Sequence, residues 1–432
     1  MADVFQRNFR SYCEKFRPPL LHYQVMQRIQ DCRTHVLGGH QEQCNLCGAK
    51  VNVYNSCRDR HCGKCLSMHR ELWLEARRAE LLPVHYFHGV FTVPDPIGAL
   101  ALQNKEVVYD ILFKAVGKTL RTIAANPKHL GAEIGYVAIL HTWGQTLLAH
   151  PHIHCIIPGG GISLDGTRWV PTRKKFFLSV RVLSRKFRHL FEVALKKAFN
   201  TGKLEFHGRL DHLRDIDQFS AWLDDVRKKE WVVYAKETYG SPEQAMAYVG
   251  RYTHKTAITN HRLVSTTDNG VTFRYKDYKR GKNNLLVTLD PHEFMRRFLL
   301  HTLPKGFVRI RYGGFLAHRH RKVKLALIRK LLSSPAPPQE RTSAEPAPTI
   351  PEAATCDEVA VTTESIPLVS LIRSGDRRKQ LYERLTGRPI DLCRVCNQGR
   401  MVKTIDIPPL DNRFRRRRRR RRVRALERMD SS

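Results

Sequence analysis

The sequence predicts an α+β fold: a single antiparallel sheet with helices packed on it, a small cysteine-rich module before it and a disordered basic tail after it. Three observations point there. Between residues 84 and 330, short strand-like runs are interspersed with helical stretches, the pattern of one sheet covered by helices. Residues 35–66 are rich in Cys, His and Gly and carry little periodicity. At Ser333 the composition changes abruptly, and the chain ends in an arginine run.

Taken in order, residues 1–34 read as helical, with Leu20, Leu21, Tyr23, Val25, Met26 and Ile29 forming a stripe after the Pro18–Pro19 break. A helix is expected from Ser67 to Leu82, stopped by Pro83. Tyr86–Val93, Ile134–Trp143 and His152–Pro158 read as strands, the first two separated by a helical stretch at Leu100–Ala125. Further strands fit Glu230–Lys236, Arg262–Ser265, Val271–Lys276 and Leu285–Thr288. From Ser333 to Pro367 there are seven Pro, six acids and one Arg, an extended or disordered linker. The expected domains are therefore 1–83, 84–332, a linker at 333–367, and a C-terminal segment at 368–432.

The formal net charge is +35, so nucleic acid is the natural partner. The tail alone does not supply it. Residues 413–432 hold eleven Arg and two acids, which leaves +26 on the rest of the chain. No run of 18 apolar residues appears, so no membrane span is expected. The charged start lacks the apolar core of a secretory signal, and the expected location is the bacterial cytoplasm, at the nucleoid.

Eleven cysteines in an intracellular chain point to metal rather than disulfides, because six of them fall in C-x-x-C pairs. Cys44, Cys47, Cys62 and Cys65, with fourteen residues between the pairs, would give a tetrahedral Zn²⁺ its four thiolates. His35, His40, Cys57 and His61 are left over. They would form a second zinc site, or Cys57 and His61 would support the first through hydrogen bonds; one zinc is the favoured reading. Cys393 and Cys396 make only half a site, and Cys13, Cys32, Cys155 and Cys356 read as ordinary core or loop residues.

His152 and His154 flank Ile153 at the start of an apolar strand. Residues i and i+2 share a face, so both imidazoles point one way and offer half of a divalent-metal site. An exposed polar strand face would look the same. Downstream, Ser241, Pro242 and Gln244 carry the marks of a helix start, with Gln244 able to close a capping box. Gln244, Tyr248 and Tyr252 then fall on one helix face. An aromatic core stripe is the plain alternative, though Arg251 and His254 alongside argue against it.

These motifs carry a resemblance. HPHIH at 150–154 resembles the histidine–hydrophobe–histidine motif of the HUH nucleases, and YVGRY at 248–252 resembles the paired tyrosines of their two-tyrosine transposases. The segments YVGRYTHKTAITNHRL and RRFLLHTLPKGFVRIRYGGFLA are similar to the IS91 family of rolling-circle transposases, as are GGHQEQC and CRDRHCGKC near the start. The likeness covers roughly residues 10–330. It implies a ferredoxin-like or RRM-like sheet and a catalytic Mg²⁺ or Mn²⁺; His152 and His154 would hold the ion, and Gln244, one helical turn before Tyr248, would be its third ligand or serve the capping box with Ser241. It also implies nucleophiles at Tyr248 and Tyr252, a structural zinc, and single-stranded DNA at element ends and target as partner. A replication initiator of plasmid or phage would share this chemistry, and a zinc-binding DNA regulator would share the charge and knuckles. Expected DNA contacts are Arg251, Arg274, Lys276, Arg415, Arg416, Arg417 and Arg418. In FRYKDYKR at 273–280, aromatics stacking on bases and aromatics turned inward remain alternatives.

Overall fold

The computed structural model of the chain describes residues 1–173, 175–238, 250, 257–277, 281–333 and 374–410. Gln244, Tyr248, Arg251, Tyr252, residues 334–367 of the expected linker, and the arginine tail with Arg415, Arg416, Arg417 and Arg418 lie outside the described residues. One unit comprises Met1–Leu331 with the segment from Asp391 onward, and a second comprises Leu332–Ile390.

The chain begins with α1 (Ala2–Phe16) and α2 (Leu20–Asp31). They part at Arg17, whose left-handed backbone and the two prolines after it end the first helix. Val4, Phe5 and Tyr12 of α1 and Val25, Met26 and Ile29 of α2 are buried together; of the stripe expected from the sequence, Leu20 and Tyr23 are exposed instead, so only its second half faces the core. The cysteine-rich region then forms β1 (Gly39–Cys44), β2 (Lys50–Tyr54) and α3 (Gly63–Arg78). The β1–β2 hairpin turns at residues 45–49.

The main sheet has seven antiparallel strands. In chain order they are β3 (Tyr86–Thr92), β4 (Ala132–Trp143), β5 (Ala149–Pro158), β6 (Gly160–Ser163), β7 (Trp169–Pro171), β8 (Val233–Thr238) and β12 (Ile310–Gly314). The spatial order is β7-β6-β4-β5-β3-β8, with β12 also paired to β4. Helices α4 (Asp95–Gln103) and α5 (Lys105–Ala125) come between β3 and β4; α6 (Val180–Asn200) and α7 (Ile216–Lys228) come between β7 and β8. In α5 the apolar residues Val108, Leu112, Val116, Leu120 and Ile123 recur every three to four positions and are all buried. They pack with Phe87, Phe91, Leu140, Ile153, Cys155 and Ile157 of the sheet and Phe187 and Phe191 of α6. One face of the central strands is thus sealed, and alternation turns the histidines of β5 to the other face.

The expectation of a single sheet is corrected. β9 (Leu263–Thr267), β10 (Gly270–Asp277) and β11 (Lys282–Leu289) form a separate three-stranded sheet in the order β11-β10-β9. Its apolar side, Val271 and Phe273, packs on α8 (Pro291–Leu300) and on the N-terminal helices, so it has its own core. The chain continues through β12 into α9 (Arg321–Ser333). The second unit contributes α10 (Ser374–Thr386). The last strand, β13 (Met401–Ile407), returns to pair with β1 and gives a third sheet, β13-β1-β2. The C-terminal C-x-x-C segment therefore joins the N-terminal module.

Candidate active site and metal centres

Among the described residues, three groups of side chains are set to hold a metal ion: His141, His152 and His154; Cys32, Cys57, Cys62 and Cys65; and Cys44, Cys47, Cys393 and Cys396. The histidine group lies on the face of the main sheet opposite the α5–α6 core, where His141 and His154 are buried. The β4–β5 ladder sets His141 directly opposite His152 and Ile139 opposite His154, so the three imidazoles share one face. Ile153, between the two β5 histidines, is fully buried in the core beneath.

Hydrogen bonds fix these rings. His152 Nδ1 lies 2.6 Å from the carbonyl of His150, which only accepts, so Nδ1 carries the proton and Nε2 keeps its lone pair. His152 Nε2 lies 3.1 Å from His154 Nε2, and His154 Nδ1 lies 2.7 Å from His88 Nε2 on β3. The rings of His88 and His154 stack at 5.0 Å. Trp143 stacks on His141 at 4.8 Å. Burial brings the pKa of His152 down to about 4, so the ring is neutral and free to donate its lone pair near neutral pH. Three imidazoles on one face, with His152 neutral, fit a divalent cation that accepts nitrogen ligands. His141 is the member that the sequence reading missed. Its one signal there is a polar histidine inside the apolar run AILHTW, and only strand register shows that it meets His152.

The cysteine assignment changes. Cys44 and Cys47 do not share a site with Cys62 and Cys65. The hairpin explains this: Cys44–Cys47 sits at its tip, while the chain leaves its base at Tyr54 and runs into Cys57. Five residues of strand separate tip from base by about 16 Å, too far for one ion. Cys62 and Cys65, at the N-terminus of α3, instead meet Cys57 and Cys32, the residue after α2. Cys32 Sγ and Cys65 Sγ are 3.3 Å apart, and Cys57 Sγ and Cys65 Sγ 3.5 Å apart. A tetrahedron with Zn–S arms of 2.3 Å has edges of about 3.8 Å, whereas a disulfide needs about 2.05 Å. The four thiols fit zinc. Cys32, read from the sequence as an ordinary small residue, is thus placed among ligands.

The leftover histidines do other work. His61 donates from Nδ1 to Asp59 at 2.8 Å and accepts from the Leu303 amide at 3.3 Å. Arg28 of α2 bonds the other oxygen of Asp59 at 3.0 Å. Burial works to raise the Asp59 carboxyl, but the hydrogen bonds from His61 and Arg28 and the charge interaction with His61 outweigh it and hold the pKa down at about 2. Arg60 donates two 2.8 Å bonds to the Phe307 carbonyl. The CRDRHCGKC segment is therefore fastened to the segment that contains Leu303 and Phe307. His40 pairs with Glu42 at 3.0 Å. On β10, Phe273 is buried against Phe294, whereas Arg274 and Lys276 are exposed. Phe273 is turned inward, away from any base, and the cations face solvent.

The transposase zinc-binding domain family matches residues 4–93, and the family described as "Putative transposase" matches residues 135–324. The chain is 48% identical to "Putative transposase y4qJ" of Sinorhizobium fredii, over 94% of its own length and 95% of that protein's. It is 27% identical to the transposase for insertion sequence element IS801 of Pseudomonas savastanoi pv. phaseolicola, over 68% of this chain and 70% of the other. Among solved structures, the conjugative relaxase TrwC in complex with oriT DNA aligns with a TM-score of 0.22 and 15% identity, over 40% of this chain and 68% of that one. No described helix is long and apolar enough to cross a membrane.

Proposed function

This chain belongs to the IS91 family of transposases, and on that premise we propose that it cleaves and rejoins single-stranded DNA through covalent 5′-phosphotyrosine intermediates, in rolling-circle transposition. The observation that carries the proposal is the trio His141, His152 and His154 on one face of the sheet. They would hold a divalent cation, with His141 as third imidazole; of the two candidates, Mn²⁺ accepts nitrogen more readily than Mg²⁺, which prefers oxygen. When bound, the ion neutralises charge on the scissile phosphate as the transition state forms. His152 presents Nε2 because the His150 carbonyl holds its other proton. His88 would accept from Nδ1 of His154 and so aim Nε2 of that ring. With three imidazoles available, Gln244 would not be needed as a ligand, which leaves it the capping-box role with Ser241 expected from the sequence. Tyr248 and Tyr252 are the proposed nucleophiles: the phenolate oxygen of one attacks the phosphate, the P–O3′ bond breaks and leaves a 3′-hydroxyl, and the tyrosine keeps the 5′ phosphate; the second allows another cut while that adduct persists. The four thiolates of Cys32, Cys57, Cys62 and Cys65 would hold a structural zinc that ties α2 to α3.

The test incubates the protein with labelled single-stranded element ends, with and without Mn²⁺ or Mg²⁺, and resolves covalent adducts on a denaturing gel. We expect adducts only with metal. Each single Tyr→Phe change should abolish transposition yet leave some cleavage through the partner tyrosine, and Tyr248→Phe with Tyr252→Phe should leave none. Adducts that survive in the double variant overturn the mechanism.

A further inference from the structure

We propose that Cys44, Cys47, Cys393 and Cys396 hold a second zinc ion, which fastens the C-terminal segment to the N-terminal module. The two C-x-x-C turns have the same build. Gly48 and Asn397, each just after the second cysteine, adopt left-handed backbone at φ 73° and φ 56°. Their amides bond back to the carbonyls of Cys44 and Cys393 at 3.1 and 3.0 Å. In the first turn, the amides of Leu46 and Cys47 each lie 3.4 Å from Cys44 Sγ. In the second, the Val395 amide lies 3.4 Å from Cys393 Sγ and the Gly399 amide 3.3 Å from Cys396 Sγ. Such N–H donors spread the negative charge that four thiolates bring to one ion.

The turns face each other across the β1–β13 ladder, which pairs Cys44 with Met401. Cys44 Sγ lies 3.7 Å from Cys396 Sγ, and Cys47 Sγ lies 3.7 Å from Cys393 Sγ. Those are the edges of about 3.8 Å that a tetrahedral ZnS₄ requires. They are far from the length of a disulfide, and all four thiols are free. Gly399 lets the backbone come this close, since a Cβ there would run into the Cys44 sulfur. The Asn45 and Arg400 backbones are also joined, by an amide-to-carbonyl bond of 3.0 Å and a bond of 2.7 Å to the Asn45 side chain.

Energetics require such a staple. The β13-β1-β2 sheet has no apolar layer of its own: Val51, Val53, Val402 and Ile405 are all exposed. Three short strands held by backbone bonds alone are marginal in water, so a metal supplies what a core would. Neither matched family span reaches Cys393, and the site follows from the fold of this chain. It does not rest on the strand-transfer reading.

Metal analysis of the full-length protein tests it. Wild type should carry two zinc ions per chain. Cys393→Ser with Cys396→Ser should carry one, with faster hydrogen exchange in Met401–Ile407 and unchanged exchange in α3. Cys396→His, which keeps a ligand, and Cys13→Ser, outside both sets, should keep two. A single zinc in wild type, or two zinc ions in the double serine variant, overturns the proposal. DNA cleavage is read separately, so its loss with two zinc ions present counts against the catalytic reading and leaves the second site standing.

Discussion

Two side chains compete for the third position beside His152 and His154. Gln244 was reached from the sequence by helix geometry, one turn before Tyr248; His141 is reached by strand register, directly opposite His152. Hardness would let Mn²⁺ take an amide oxygen or an imidazole, but among the described residues it is His141 that the sheet holds beside His152 and His154. His141→Ala should therefore lower Mn²⁺ affinity and adduct formation by roughly 10- to 100-fold or more, the range found when even the supports of metal ligands are removed. Gln244→Ala should cost about 1 kcal/mol of helix stability through the cap and leave cleavage near normal. Isothermal titration with Mn²⁺ and the adduct gel separate the two, and a large cleavage loss in Gln244→Ala with His141→Ala unaffected would reverse the assignment. His152 and His154 were legible because the i, i+2 rule is local. His141 was not, since eleven residues and a turn separate it from His152. Cys32 escaped notice for the same reason: it lies twelve residues before the first C-x-x-C pair, and only packing of α2 on α3 gives it partners.

At the scale of elements, the β4–β5 hairpin that carries all three histidines is held from behind by α8. His301, one residue past that helix, lies 2.9 Å from the Leu147 carbonyl and 3.1 Å from the Thr142 hydroxyl. The carbonyl only accepts, so His301 donates from Nε2 and accepts from Thr142 at Nδ1: a neutral ring is built in. Burial lowers its pKa to about 4. The sign follows. Below the unfolded value of about 6.5 the unfolded chain binds a proton that the folded chain refuses, so stability falls between pH 6.5 and 4 and levels off beneath. About 2.5 pH units at 1.36 kcal/mol each makes this about 3 kcal/mol. His301→Asn removes the titrating ring, and its denaturant midpoint should depend less on pH in that window than wild type's; an identical pH profile would place the acid sensitivity elsewhere. The strands β3, β4 and β5 were visible in the sequence because each is long and apolar. The short β6, β7 and β12 were not, and Gly-rich runs such as Gly159–Gly161 and Gly313–Gly314 hid them. The separation of β9–β11 into their own sheet was equally hidden, because strand patterns specify faces and leave partners open.

Over the whole molecule, charge and chain path meet at the C-terminus. The body keeps +26 without residues 413–432, so it has its own attraction for nucleic acid, and the exposed Arg274 and Lys276 belong to it. The tail adds eight consecutive arginines from Arg415 to Arg422. Its place along the chain matters: β13 returns to β1 and Leu410 bonds to the Val36 carbonyl at 3.2 Å, so the run starts five residues beyond a point tied to the N-terminal module. Guanidinium groups neutralise phosphates and release counterions without reading bases. Each phosphate on single-stranded DNA contributes a slope of about −0.7 to log K against log salt, so eight engaged arginines contribute up to about −6. Deleting residues 413–432 should weaken binding to element ends and unrelated single strands alike and flatten the salt dependence. The order of preference among sequences should stay the same. The deletion leaves Cys393, Cys396 and β13 in place, so zinc content should stay at the wild-type value, which separates a lost contact from a loosened fold. Filter binding from low to moderate salt reads both quantities. Equal affinity at low salt with an equal slope would show that the arginines touch no phosphate, and a changed preference between end sequences would show that they read bases after all.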